Sequence, residues 1–175
     1  MQPPLETIWV RTRPGGRQRG VLRAGTLTLP VALGRGGILA NKREGDGGTP
    51  RGHFRLVRLW WRADRLWRPR TALPARRITA DLAWSEDPAS RLYNRPFRRK
   101  ADAAGDRLLR PDHLYDLIIE LDHNSRPRVA GRGSAVFIHV ARPGLAPTAG
   151  CVALPAPALR RLLARLGPQT RIVIS

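Results

Sequence analysis

Helical periodicity is concentrated in a single stretch of this sequence, and that constrains the fold more than any other feature. In "LPAPALRRLLARLGPQT", Leu159, Leu162, Leu163 and Leu166 recur at i, i+3, i+4 and i+7, one apolar stripe. Pro157 stands where a helix can start, and Gly167 followed by Pro168 stops it. Elsewhere short β-like runs alternate with turns. "TIWVRTR" alternates apolar and polar residues, "PGG" at Pro14 to Gly16 turns, and "GVLRAGTLTLPVALG" continues, a hairpin or meander. "HFRLVRLWW" alternates as a strand should. "LYDLIIELDHN" reads as a central strand buried on both faces, "AVFIHVA" as a second buried strand with His139 near its end, and "RIVIS" as the last. The pattern predicts a mostly-β fold with one helix near the C-terminus.

A chain of 175 residues suits one domain, residues 1–175, with a real core. From Arg62 to Arg110 periodicity fades, Pro69, Pro74, Pro88 and Pro96 interrupt it, and arginine is dense. A loop-rich insertion over about 62–110 is the expectation, carrying short elements such as "DLAWSEDPASRLYNRPF". Trp84, Tyr93 and Asn94 in that stretch read either as part of a substrate-covering lid or as anchors of the insertion. The glycines of "GRGGILANKREGDGGTPRG" lack the lysine-serine pair and following helix of a phosphate-binding loop.

The net charge is +19 and the pI about 11.9, which raises the question of a nucleic-acid partner. Lys42 and Lys100 are the only lysines, and the arginines are spread along the chain instead of forming one stripe. No helix-turn-helix, zinc-finger spacing or aromatic RNA-binding signature accompanies them. The expectation is therefore no nucleic-acid partner; a basic surface equally suits an anionic polymer. No run is long enough for a membrane span, and the first residues lack the features of a secretory signal, which points to the cytosol or to a leader removed earlier. Cys151 is the sole cysteine, so an internal disulfide and a multi-thiolate metal site are excluded. His53, His113, His123 and His139 have none of the spacings of zinc ligands, and neither metal nor cofactor is expected. His53 and His113 read as surface or strand residues.

Chemistry concentrates in "FIHVARPGLAPTAGCVALP". A thiol attacks as thiolate, so a catalytic cysteine needs a group that takes its proton. A strand ending at His139, the loop "ARPGLAPTAG" and a return bring such a group within reach of Cys151. Ala149 and Gly150 leave room for a carbonyl beside the sulfur, and their turn together with the Cys151 backbone is placed to aim amides at an oxyanion. A lone cysteine among Gly, Val, Ala and Leu equally reads as a small core residue. Spacing and composition leave both readings open.

"IHVARPGLAPTAGCVAL" resembles the signature of the YkuD-type L,D-transpeptidase catalytic domain: a strand-borne His, a loop, then Ser/Thr-x-Gly-Cys-apolar. Thr148, Gly150, Cys151 and Val152 fill those places. "GDGGTPRGHFRL" resembles the family's upstream Thr-Pro-x-Gly-x-Phe strand, and "WSEDP", "YNRPF", "LYDLIIELDHN" and "GRGSAVFIHVA" resemble a proteobacterial branch. The resemblance covers most of the chain in the expected order. It implies a β-sandwich-like fold with the thiol at the mouth of a groove, and two-step acyl transfer between peptidoglycan stem peptides, donor and acceptor. Cys151 would form the thioester, His139 would take the thiol proton, and the Val140 backbone carbonyl would orient the imidazole. It further implies acylation by carbapenems and a periplasmic or cell-envelope location, against the missing leader. His123 and Asn124 read either as groove-rim residues or as a polar turn after a buried strand, and Arg142 either as a partner for a stem carboxylate or as a solvated surface residue. Two departures stand out: Ala149 replaces the family's commoner His, and Ala153 the frequent Arg. The missing arginine puts the usual handling of the donor stem in doubt and leaves the crosslink open between the common three-to-three type and another bond. A carboxypeptidase on the same scaffold is the alternative, and a non-catalytic basic polymer-binding module the third reading.

Overall fold

The computed structural model describes residues 3–100 and 104–175. The first strands form the expected meander: β1 (Thr7–Arg13), β2 (Gly16–Ala24) and β3 (Leu27–Ala32) pair antiparallel in sequence. Short β4 (Ile38–Leu39) and β5 (Thr49–Pro50) pair with each other, and β6 (Gly52–Trp61) is the longest strand. The region 62–110 contributes β7 (Ala75–Arg77), β8 (Leu82–Trp84), β9 (Pro96–Arg98) and β10 (Asp106–Arg107). Then follow β11 (Leu117–Leu121), β12 (Phe137–Val140), a 3₁₀ turn at Pro143–Leu145, β13 (Val152–Leu154), α1 (Ala156–Leu163) and β14 (Arg171–Ile174).

The main sheet runs β11-β12-β13-β3-β2-β1-β14-β6-β7, and β6 also pairs with β11. That extra pairing closes eight strands into a mixed barrel, with β7 attached to β6 as a short parallel edge. Closure satisfies the ladder edges that an open sheet would expose. The fold is therefore mostly β, with the barrel closed through the pairing of β6 and β11.

Side chains alternate between the two faces of a strand, and here each face has its own core. Ile138 and Val140 of β12, Val152 and Leu154 of β13, and Leu117 and Ile119 of β11 belong to one large cluster. Leu159, Leu162 and Leu163 of α1 are fully buried in it, and Leu166 joins them. The helix itself ends at Leu163, sooner than the leucine stripe predicts. The amides of Arg165 and Leu166 bond to the carbonyls of Leu162 and Leu163, tightening the last turn while keeping Leu166 inward. On the opposite face, Trp60, Ile118 and Phe137 pack with Ile78, Leu82, Trp84 and Leu108.

That second core explains the uninterrupted burial of β11. The three-stranded sheet β10-β8-β9, built from the 62–110 region, lies over the outer face and removes it from water. The polar residue of β11, Glu120, accepts from Trp60 Nε1 at 2.8 Å and pairs with Arg58 at 3.1 Å. Among the described residues, no helix is long and apolar enough to cross a membrane.

Candidate active site

Register brings the histidine and the cysteine to one face. Trp60 pairs with Ile118, Ile118 with His139, and His139 with Ala153, one row across β6, β11, β12 and β13. Cys151 lies two positions before Ala153, so it shares the outer face with His139 and Phe137. Parallel pairing of β12 and β13 requires the crossover "ARPGLAPTAG", and that loop returns the chain beside the imidazole.

The turn before the cysteine is fixed from several sides. Thr148 Oγ1 donates to the Cys151 carbonyl at 2.6 Å and accepts from Gly150 N–H at 3.1 Å. The Thr148 amide donates to Leu33 O, and its carbonyl accepts from the Arg35 amide. Beneath it runs the glycine-rich loop. A Cβ at Gly34 would stand 2.1 Å from Gly47 O and 3.0 Å from Gly150 Cα, so only glycine admits this approach. Gly150 adopts φ +145°, and a Cβ there would meet Gly48 O at 2.8 Å.

His139 is buried, and its Nδ1 lies 2.8 Å from Val140 O. A carbonyl oxygen only accepts, so Nδ1 carries the hydrogen and Nε2 keeps its lone pair. Burial pushes the imidazole down to about 4, which leaves it neutral at pH 7. The Tyr115 ring packs edge-on against it at 5.4 Å. The Cys151 thiol donates to Ala135 O at 3.2 Å and accepts from Phe137 N–H at 3.4 Å. Burial pushes it up to about 12, with Asp106 and Glu86 adding to the rise and the Phe137 amide and Lys42 opposing it. The resting pair is thus a neutral thiol and a neutral imidazole with a free acceptor nitrogen.

Both line one cavity of about 380 Å³. Thr148, Ala149 and Arg142 form one wall, and Leu114, Tyr115 and Arg110 another. Ala146, Pro147, Arg35 and the carboxylates Glu86 and Asp106 complete the lining. Tyr115 O–H donates to Asp106 Oδ2 at 2.8 Å, and the Arg110 guanidinium stacks over the Tyr115 ring at 5.0 Å. Burial raises the Asp106 carboxyl, and burial with the neighbouring carboxylates raises Glu86 to about 7. Among the described residues no cluster of three or more His, Cys, Asp or Glu is arranged to hold a metal ion.

Cys151, His139, Thr148, Ala149 and Arg142 therefore meet, and Val140 supplies the carbonyl against the imidazole. The Gly150 N–H does not face the cavity as a free donor, because the Thr148 hydroxyl already takes it. The remaining sequence candidates stand behind the site instead of lining it. Asn94 accepts from Trp84 Nε1 at 3.0 Å and Ala135 N–H at 3.1 Å, and donates to His123 O and Asn124 O at 3.0 and 2.9 Å. Tyr93 O–H donates to Glu44 and accepts from Gly133 N–H at 3.0 Å. Trp84, Tyr93 and Asn94 are all buried, so they anchor the insertion to the segment whose Ala135 carbonyl receives the thiol hydrogen. Asn124 braces the loop 124–133 through Val129 and Gly133, and His123 Nε2–H donates to Arg132 O at 3.1 Å. Sequence reasoning missed Arg35, Glu86, Asp106, Arg110 and Tyr115. Asp106 lies in the two-residue strand β10 and the others in loops or turns, so only the three-dimensional path brings them to the sulfur.

A family model for the L,D-transpeptidase catalytic domain, YkuD, matches residues 8–174. The chain belongs to this family. Comparisons with curated proteins and with solved structures gave no significant match. Membership implies an L,D-transpeptidase-type enzyme of the cell wall, with peptidoglycan peptides as substrates. The position where the family often carries arginine holds Ala153, buried beside His139 in register. Guanidinium groups reach the cavity instead from Arg35, Arg110 and Arg142.

Proposed function

We propose that the protein is a cysteine L,D-transpeptidase in which Cys151 is the nucleophile and His139 its base. The observation that carries this reading is the shared cavity of a thiol and an imidazole whose Nδ1 is committed to Val140 O. In the first step the Cys151 sulfur attacks a stem-peptide carbonyl and His139 Nε2 takes the thiol proton. Collapse of the tetrahedral adduct breaks the amide bond. The proton passes from His139 to the departing amine, leaving a thioester. In the second step an amine of another stem attacks the thioester, gives a proton to His139, and forms the new amide as the thiol is re-protonated. With the Gly150 amide spent on Thr148, the oxyanion is assigned to the Cys151 N–H at the same turn.

Charge transfer between two neutral groups needs compensation, because burial disfavours both the thiolate and the imidazolium. A substrate that enters the cavity brings its carbonyl to the sulfur, so negative charge passes to the oxyanion instead of resting on sulfur. Arg142 and Arg35 are assigned to a donor-stem carboxylate. With alanine at position 153, the guanidinium groups assigned to the donor come from Arg142 and Arg35 instead. The cell envelope, where this substrate resides, is the proposed location, and carbapenems are proposed acylating agents.

Purified sacculi incubated with the protein and digested to muropeptides test this reading. New crosslinked dimers, absent with Cys151→Ala, are the expected product. Shortened monomers alone would replace the transferase by a carboxypeptidase, in which water attacks the thioester. An unchanged profile with wild-type protein would reject both.

A further inference from the structure

Surface depressions lead away from the thiol cavity, and consecutive ones share walls. Leu114 and Arg142 line both the thiol cavity and a larger depression of about 780 Å³. His113 and Ala156 join that depression to a third, and Arg65 and Arg160 join the third to a fourth. The fourth, about 480 Å³, is bounded by Trp67. The result is a track of adjoining depressions that leads from the cavity of Cys151, past Val140 of β12 and Ala156 of α1, to an indole that is 96 % exposed.

The loop that carries Trp67 is held on both sides. Arg65 pairs with Asp116 at 2.7 Å and donates to the carbonyls of Asp112 and Pro111. The Leu66 amide bonds to Arg62 O at 2.9 Å, and the Ala72 amide to Leu166 O at 3.1 Å. A single exposed aromatic is unremarkable on any surface. A fixed loop that sets one at the end of a track from the nucleophile, between exposed Arg70 and Arg160, is a different situation. An indole face stacks on the apolar face of a sugar ring, and guanidinium groups pair with carboxylates.

We propose that this track docks the polymer that carries the stem peptide, a carboxylate-bearing glycan strand, with a sugar ring stacked on Trp67. This rests on the reading of the thiol cavity as a transpeptidase site. It adds a recognition element outside that cavity, one that distinguishes polymeric wall from isolated stem peptide.

Trp67→Ser tests it, since the side chain is exposed and the substitution leaves the net charge unchanged. Turnover of a free stem peptide should stay at the wild-type level. Apparent KM on sacculi should rise about tenfold, the scale of losing one stacked ring, and Trp67→Phe should recover most of it. Equal losses on both substrates, or no loss on either, would overturn the proposal. Sedimentation of the inactive Cys151→Ala protein with sacculi, with and without Trp67→Ser, reads the docking independently of turnover. If the wild type turns over nothing, the transpeptidase reading fails while Trp67-dependent sedimentation still supports the track. If Trp67 governs binding to phosphatidylglycerol vesicles and not to sacculi, the surface is a bilayer contact and the glycan assignment falls.

Discussion

Burial of His139 in its neutral form makes folding depend on pH in a way that one substitution isolates. Burial pushes the imidazole down to about 4, from an ordinary value of about 6.5 in the unfolded chain. Between those values the unfolded state binds the proton and the folded state does not, so stability falls as pH drops through this window. The contribution is fully present above about pH 6.5 and is lost as pH approaches about 4. Integrated from pH 7 to pH 4.5, these two values give a loss of about 2 kcal/mol. Other groups titrate over the same range, including the raised Asp106, Glu86 and Glu120 and the lowered Asp46, Asp64, Asp81 and Asp112. A difference against His139→Gln removes them to first order, because they remain in both proteins. Urea unfolding of both at pH 7 and 4.5 is the assay. The wild type should lose about 2 kcal/mol more than the variant over that step. Losses that agree within about 0.5 kcal/mol, near the limit of linear extrapolation, would refute the claim that His139 is buried neutral.

Three further outcomes follow from the same geometry. Asn94→Ala strands the Trp84 and Ala135 N–H donors, which should cost about 3 kcal/mol in denaturant unfolding; a cost near zero would remove Asn94 as the anchor of the insertion. Gly150→Ala puts a Cβ 2.8 Å from Gly48 O at φ +145° and should destabilise by about 3 kcal/mol, whereas an unperturbed midpoint would contradict the packing of the glycine-rich loop under the thiol. Iodoacetamide should modify native Cys151, raised to about 12, about a thousandfold more slowly at pH 8 than the same thiol in urea. Its rate should keep climbing above pH 9, and equal rates in the two states would show an accessible, unperturbed thiol.

Much of the fold was legible because it follows from local pattern. The meander of β1 to β3, the long β6, the buried runs of β11 and β12, and the leucine stripe of α1 each carry a periodicity readable without tertiary context. Closure of the barrel was not legible, because pairing of β6 with β11 depends on partners far apart in sequence. Cys151 and His139 could be singled out since one crossover loop separates them. The rest of the cavity lining could not, because Glu86 and Asp106 arrive through the 62–110 region and Tyr115 through the turn before β11. Trp84, Tyr93 and Asn94 were visible as unusual residues, and only their hydrogen bonds show that they brace the backbone behind the thiol.

The central claim is that Cys151 forms the thioester with His139 as its base. Intact-protein mass spectrometry after incubation with a carbapenem addresses it most directly. The account predicts one adduct of carbapenem mass on the wild type, none on Cys151→Ala, and greatly slowed acylation of His139→Gln. An adduct that survives in Cys151→Ala, or a wild-type protein that stays unmodified, would contradict it.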